Sequence, residues 1–175
     1  MTRRAAALAA LLLCAAPAAA GAAVPGTNGR IFFTSASCGV ASVGADGTGF
    51  TCISAAGRDP TVAPNGQRIA FTRGSQVSVM AADGSGKRQL TGPIDDWDQA
   101  YTASFGPDSE TIAYLAFAGS SSGIRGDIYT VKAAGGGGRR LTTVEAYDPS
   151  YAGDGRIAYH RFDGIYVMNG DGSDQ

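Results

Sequence analysis

The side chains best equipped for chemistry in this sequence sit in Gly119-Ser120-Ser121-Ser122-Gly123, which matches the nucleophile-elbow pattern. Asp127 or Asp148 followed by His160 completes the order serine, acid, histidine. An elbow works only where a strand turns sharply into a helix and lifts the serine clear of the sheet. This segment reads instead as a Ser/Gly-rich loop between two strands, with no helical period after it. Gly84-Ser85-Gly86-Lys87 fails as a phosphate loop, because Ala81 stands at the first glycine of that motif and Arg88 at its hydroxyl residue. It reads as a hairpin turn, and so do Gly135 to Gly138 with Arg139 and Arg140. Asp95, Asp96 and Asp98 offer oxygen ligands for calcium, but their spacing fits no EF-type loop and the segment reads as a solvated acidic loop. His160 follows Tyr159 at the end of an apolar run and reads as a strand or rim residue. The sequence therefore predicts no catalytic residue, no metal site and no cofactor.

The elements that must hold these residues are written as a phrase used four times. Asn28-Gly29-Arg30-Ile31-Phe32-Phe33, Asn65-Gly66-Gln67-Arg68-Ile69-Ala70-Phe71, Asp108-Ser109-Glu110-Thr111-Ile112-Ala113-Tyr114 and Asp154-Gly155-Arg156-Ile157-Ala158-Tyr159 each run from a turn into a short apolar strand. A second strand follows each, and then a turn whose glycine is Gly47, Gly84, Gly135 or Gly172. A period of about 40 residues is the mark of a repeated supersecondary unit. The fullest copy reads as strand A at Asp59 to Val62, B at Arg68 to Thr72, C at Gln76 to Ala81 and D at Arg88 to Thr91. Asp46-Gly47 and Asp83-Gly84 supply the positive φ that a tight antiparallel connection needs. Ile69 and Phe71 face one side of strand B and Ala70 the other, so both faces of the sheet must be covered. Radially stacked sheets do this and explain the repeat; a sandwich explains the strands alone. The predicted class is all-β, a β-propeller of four-stranded antiparallel blades. About three and a half blades are present, as an incomplete, open array, with copies at roughly 28–54, 59–92, 99–143 and 148–175.

The succession Asp59-Pro60, Pro64-Asn65-Gly66, Ile69-Ala70-Phe71, Val79-Met80-Ala81-Ala82-Asp83-Gly84-Ser85-Gly86 and Leu90-Thr91 resembles the TolB-like propeller repeat, as does Asp148-Pro149 through Ser173. Gly153 stands where another copy has Pro64, and Ala134 replaces the turn aspartate of Asp46, Asp83 and Asp171. Where that family often places tryptophan in strand A, this chain has Val62, Phe105 and Tyr151. Propellers of the family have six or more blades. The four copies here offer three, four, four and three strands, and the letters end inside a turn at Ser173-Asp174-Gln175. This predicts a propeller truncated at its C-terminus, which alone would be an open array with exposed sheet edges and a tendency to associate.

Two loop elaborations fall on one face. Strand C begins 8 residues after Ile69 and after Ile157 but 16 after Ile112, and the link from Thr91 to Ala103 is longer than that from Ser54 to Pro60. In an antiparallel meander these B-to-C and D-to-A connections share an end of the sheets. Elaborated loops there commonly bind. Trp97, Asp95, Asp96, Asp98, Arg125 and Asp127 are the candidate binding residues.

The first 23 residues carry Arg3 and Arg4, an apolar run from Ala5 to Ala16, and small residues at Ala20 and Ala23, which reads as an export signal. Without Arg3 and Arg4 the chain keeps 12 basic residues against 15 acidic ones, a charge near −3 that gives no pull toward nucleic acid. No membrane span is predicted after residue 23. Cys38 and Cys52 form a possible disulfide of an exported chain, although a hairpin centred near Gly47 sets Cys52 opposite a residue around Ser42. The resemblance implies a periplasmic, cell-surface or secreted protein. The expected function is a noncatalytic scaffold that binds a protein, peptide or cell-envelope component through a loop face. The alternatives are the propeller portion of a prolyl oligopeptidase-like hydrolase, or a polysaccharide-acting propeller.

Overall fold

The computed structural model describes residues 29–92, 99–120 and 123–175. The predicted export signal, residues 1–23, lies outside them. Four antiparallel sheets follow one another along the chain. The first contains β1 (Ile31–Ser35), β2 (Gly39–Val43) and β3 (Thr51–Ser54). The second contains β4 (Arg58–Val62), β5 (Arg68–Arg73), β6 (Gln76–Ala81) and β7 (Arg88–Gln89). The third contains β8 (Gln99–Phe105), β9 (Thr111–Ser120), β10 (Gly123–Lys132) and β11 (Arg139–Arg140). The last contains β12 (Tyr147–Tyr151), β13 (Ile157–Arg161) and β14 (Gly164–Met168). Within each sheet the spatial order is the sequence order, so every connection is a simple meander.

Local chemistry closes the turns. Asp46, Asp83 and Asp171 each accept hydrogen bonds from the backbone N–H and the hydroxyl of the residue two positions on, Thr48, Ser85 and Ser173. These Asx turns hold the chain while Gly47, Gly84 and Gly172 take φ of 80°, 88° and 83°. Ala134 cannot make that bond, and the third copy closes the turn with backbone alone, Gly135 N–H donating to Lys132 O at 2.7 Å and Lys132 N–H to Gly136 O at 3.0 Å. Gly135, Gly136 and Gly137 all have positive φ there, which side chains would resist.

The core consists of the seams between sheets. Val40, with Phe32 and Ile53, packs on Ile69, Phe71 and Met80 of the second sheet. The opposite face of that sheet, Ala70, Val77 and Val79, packs on Ile112, Tyr114 and Val131. Ala113, Ile128 and Leu141 in turn meet Ile157, Tyr159 and Met168. Ile69, Ile112 and Ile157 are all fully buried and occupy the same place in successive seams. The alternation of small and large faces read from Ile69-Ala70-Phe71 is thus the packing rule of the whole array, which remains unclosed.

One feature differs from the sequence reading, and the possible disulfide is present. The long B-to-C insertion of the third copy is not a loop but an extension of the hairpin, in which β9 and β10 pair out to Ser120 and Gly123. Backbone pairing carries a ladder of small and polar residues that no hydrophobic pattern marks. The strand-to-helix elbow that Gly119 to Gly123 would need is therefore replaced by two antiparallel strands. Cys52 stands opposite Ala41, one residue from the expected Ser42, which itself pairs with Thr51. Even so, Cys38 and Cys52 are joined as a disulfide with Cα atoms 5.8 Å apart, the turn before β2 bringing Cys38 back to the hairpin. No helix among the described residues is long and apolar enough to cross a membrane.

Replacing Ile112 by Ala should cost about 3 kcal/mol in denaturant unfolding, since the seam cannot collapse around the lost volume. A second expectation concerns acid. Hydrogen bonds from Thr48 hold the Asp46 carboxyl below its usual range, the backbone N–H first, and those from Ser85 and Ser173, the hydroxyls first, do the same for Asp83 and Asp171. A depressed folded-state value means that their stabilisation is complete above the unfolded value of about 3.9 and is lost as pH falls through the folded one. Thermal melts of Asp83→Ala and Asp171→Ala should therefore start lower at neutral pH and decline less on acidification than those of the parent chain.

Candidate functional site

The first strand of each of the last three sheets carries the same irregularity. Pairing slips between Arg58 and Thr61 in β4, between Tyr101 and Ser104 in β8, and between Tyr147 and Ser150 in β12. At each bulge one non-glycine residue enters the left-handed region, Asp59 at φ 52°, Thr102 at 50° and Asp148 at 49°. Aspartate tolerates this conformation, but a β-branched threonine does so only under constraint. Each such position costs about 1–3 kcal/mol and persists where its surroundings over-determine it. Neighbouring strands supply that constraint. Asp59 N–H donates to Thr34 Oγ1 at 2.8 Å, Thr102 Oγ1 to Asp148 Oδ1 at 3.3 Å, and Tyr151 N–H to Ser104 Oγ at 3.0 Å.

The residue just before each bulge, Arg58, Tyr101 and Tyr147, is presented at one end of the sheets. There the three residues join a continuous row. The Arg58 guanidinium lies 5.2 Å from the Tyr101 ring centroid, Tyr101 is 6.1 Å from Phe117, Phe117 is 6.2 Å from Tyr147, and Tyr147 is 5.9 Å from Phe162 and 5.2 Å from His160. Phe162, in the turn between β13 and β14, is 85% exposed, while Tyr101, Phe117, Tyr147 and His160 are half-buried. Tyr147 comes this close to β10 because position 126 is glycine: a Cβ there would lie 2.6 Å from its ring. Burial and the nearby carboxylates of Glu145 and Asp127 push the Tyr147 phenol up, so it stays protonated and neutral. His160 Nδ1 lies 3.4 Å from Asp148 Oδ2.

Arg125 and Asp127 stand beside this row, on β10. Asp127 is buried, accepting hydrogen bonds from Arg140 Nη2 at 2.6 Å and Thr142 Oγ1 at 3.1 Å, while Thr142 Oγ1 accepts from Ile128 N–H at 3.0 Å. The second sheet repeats the arrangement: Thr91 Oγ1 donates to Gln76 Oε1 at 2.6 Å and accepts from Val77 N–H at 3.0 Å. Asp127 thus occupies the place of Gln76 in a clamp between strand C and the Leu-Thr after strand D, a structural duty that the recurrence of Leu90-Thr91 in Leu141-Thr142 could have signalled. Arg125 Nε lies 3.5 Å from Asp127 Oδ2, yet Nε and Nη2 are buried without a hydrogen-bond partner among the described residues. Its side chain borders a groove of about 430 Å³ with Val144, Glu145, Arg161, Phe162 and Asp163.

Trp97, Asp95, Asp96 and Asp98 lie outside the described residues. The segment that carries them leads into Gln99, which pairs with Phe117. The aromatic row lies at the end of the third sheet marked by that Gln99–Phe117 pair. The row itself was missed because its members are scattered over separate strands and the β13–β14 turn. Their one signal was the residue before Asp59-Pro60 and Asp148-Pro149. Among the described residues no three His, Cys, Asp or Glu side chains gather as a metal site.

No protein-family model and no curated protein matches the chain. Solved structures do. A putative TolB from Agrobacterium tumefaciens superposes with a TM-score of 0.65 at 20% identity, over 83% of this chain and 56% of that one. The fold is that of a β-propeller. A chain of a nidogen/laminin complex gives a TM-score of 0.62 at 15% identity, over 80% and 55% of the two chains. An oligogalacturonate lyase in complex with manganese gives 0.57 at 10% identity, over 77% and 44%. The propeller thus spans about half the length of these solved chains.

The clamp predicts an ordering of variants. Asp127→Ala leaves Arg140 and Thr142 without their acceptor and should destabilise the chain by about 2 kcal/mol, whereas Asp127→Asn, which keeps an acceptor, should cost about half as much. Chemical denaturation of the two variants beside the parent checks this.

Proposed function

We propose that this propeller is an exported, noncatalytic scaffold that binds a peptide or a segment of a partner protein across the end of its sheets where the aromatic row lies. The observation that carries the reading is the row Tyr101, Phe117, Tyr147 and Phe162, with ring centroids 5.9–6.2 Å apart and Arg58, Arg125 and Arg161 beside it. Rings and arginines are the side chains that dominate protein recognition, because they give large, stiff contact surfaces with a polar edge. Bulged strands of a rigid sheet hold them more firmly than loops would. Export to the periplasm, the cell surface or the medium belongs to this reading; the pattern of residues 1–23 and the geometry of Cys38 with Cys52 support it. A second reading, binding of an acidic oligosaccharide, draws on the same arginines beside flat rings and on the likeness to the oligogalacturonate lyase.

One experiment separates the two. The chain is panned against a random peptide library and titrated in parallel with oligogalacturonate fragments, each with Phe162→Ala and Arg125→Ala as comparison. The peptide reading expects enriched peptides whose affinity falls at least tenfold in the variants, a loss of about 1.4 kcal/mol or more. Saturable, salt-sensitive binding of the oligosaccharide selects the second reading. Binding of neither, or peptides indifferent to both substitutions, removes the site.

A further inference from the structure

A groove of about 210 Å³ crosses the second sheet, and no residue of the aromatic row lines it. Register builds it. Phe71 of β5 stands opposite Ser78 of β6, and Ser78 opposite Gln89 of β7, so these three cross the sheet at one level. The alternation of strand side chains puts Arg73, two residues after Phe71, and Lys87, two before Gln89, on the same face, and both line the groove. Because β5 and β7 run the same way, Arg73 approaches that level from one end of the sheet and Lys87 from the other. Phe71 is buried under the first sheet, and Gly57 lies so close that a Cβ there would be 2.5 Å from its ring. The groove therefore belongs to a seam that two sheets of this chain already form.

Its donors lack partners. Arg73 and Lys87 are exposed, and neither they nor the Ser78 hydroxyl make an ion pair or hydrogen bond to another described residue. Arg88 closes the edge, with its guanidinium turned to the third sheet and donating to Ala133 O at 2.6 Å and Ala134 O at 2.7 Å, uncharged partners that leave its positive charge uncancelled. Among the described residues no acidic side chain lines the groove. Elsewhere this chain of 14 basic and 15 acidic residues answers such cations: Arg68 meets Glu110 at 3.2 Å, Arg140 meets Asp127 at 2.6 Å, and Arg156 meets Asp154 at 2.8 Å.

We propose that this groove is a binding site for a phosphate group, held between Arg73 and Lys87 over the Ser78 hydroxyl. A guanidinium, an ammonium and a hydroxyl arriving from three directions suit a tetrahedral oxyanion, whose oxygens point to several sides. A planar carboxylate is satisfied by a single guanidinium fork and would leave the other donors idle. The volume lies below the roughly 300 Å³ at which pockets for drug-sized ligands begin, so the groove takes a charged group and not a whole cofactor.

The test is isothermal titration calorimetry of the full chain at low ionic strength, where charge contacts are least screened, with inorganic phosphate, glycerol phosphate and acetate as probes. The expected result is saturable phosphate binding, with acetate about tenfold weaker or more. Arg73→Gln and Lys87→Gln each remove an exposed donor and leave the melting temperature in place, yet each should weaken phosphate binding about tenfold. Arg156→Gln removes a like charge outside the groove and should change nothing. Phe162→Ala should also leave phosphate binding unchanged, which separates this site from the peptide site. Tighter binding of glycerol phosphate than of inorganic phosphate assigns the group to an ester, and the reverse assigns it to the free anion; both support the site. Binding that fails to saturate below about 10 mM overturns it. So does acetate bound as well as phosphate, indifference to Arg73→Gln and Lys87→Gln, or an equal loss in Arg156→Gln.

Discussion

Everything in this molecule depends on the fact that a sheet of three or four short strands cannot hide its own apolar faces. The second sheet has Ile69 and Phe71 on one side and Ala70, Val77 and Val79 on the other, so it is covered only when stacked between two others. Burial of apolar area is the dominant favourable term in folding. Here that term is distributed over seams between sheets rather than concentrated in one centre. Stability in such an array is a sum of neighbour terms. That explains why the turns can vary, with Ala134 for aspartate and an all-glycine turn beside it, without disturbing the stack.

The same division of labour separates scaffold from surface. The Thr91 and Thr142 clamps tie strand C to the chain leaving strand D and use Gln76 in one sheet and Asp127 in the next. Either acceptor serves, because the bond needs only an oxygen in that place. The aromatic row uses none of these groups. Apart from the exposed Phe162, it borrows strands that the seams already hold still, so Tyr101, Phe117 and Tyr147 are placed by packing that has nothing to do with a ligand.

Much of this was legible in the letters, and for a physical reason. Asn-Gly, Asp-Gly and the apolar alternation act locally, so β5 and β6 lie within a residue of where the sequence puts them. The seams were legible too, since Ile69-Ala70-Phe71 declares two covered faces. What could not be read depends on relations across sheets. The bulges at Asp59, Thr102 and Asp148 are tied by bonds to the neighbouring strand, the extended hairpin of β9 and β10 is made by backbone pairing, and the rings of Tyr101, Phe117, Tyr147 and Phe162 meet only after the third and fourth sheets have been stacked. Asp127, a candidate ligand by its place beside an elaborated loop, is held by Arg140 and Thr142 as a strut that no local pattern declares.

The bulges have an evolutionary consequence. Because the left-handed residue at 59, 102 or 148 fixes the direction of the side chain that precedes it, positions 58, 101 and 147 behave as interchangeable pegs. One already bears an arginine and two bear tyrosines, with no change in the backbone that carries them. A lineage built on this repeat can rewrite its specificity one peg at a time, and duplication of a blade adds a peg along with the wall that supports it.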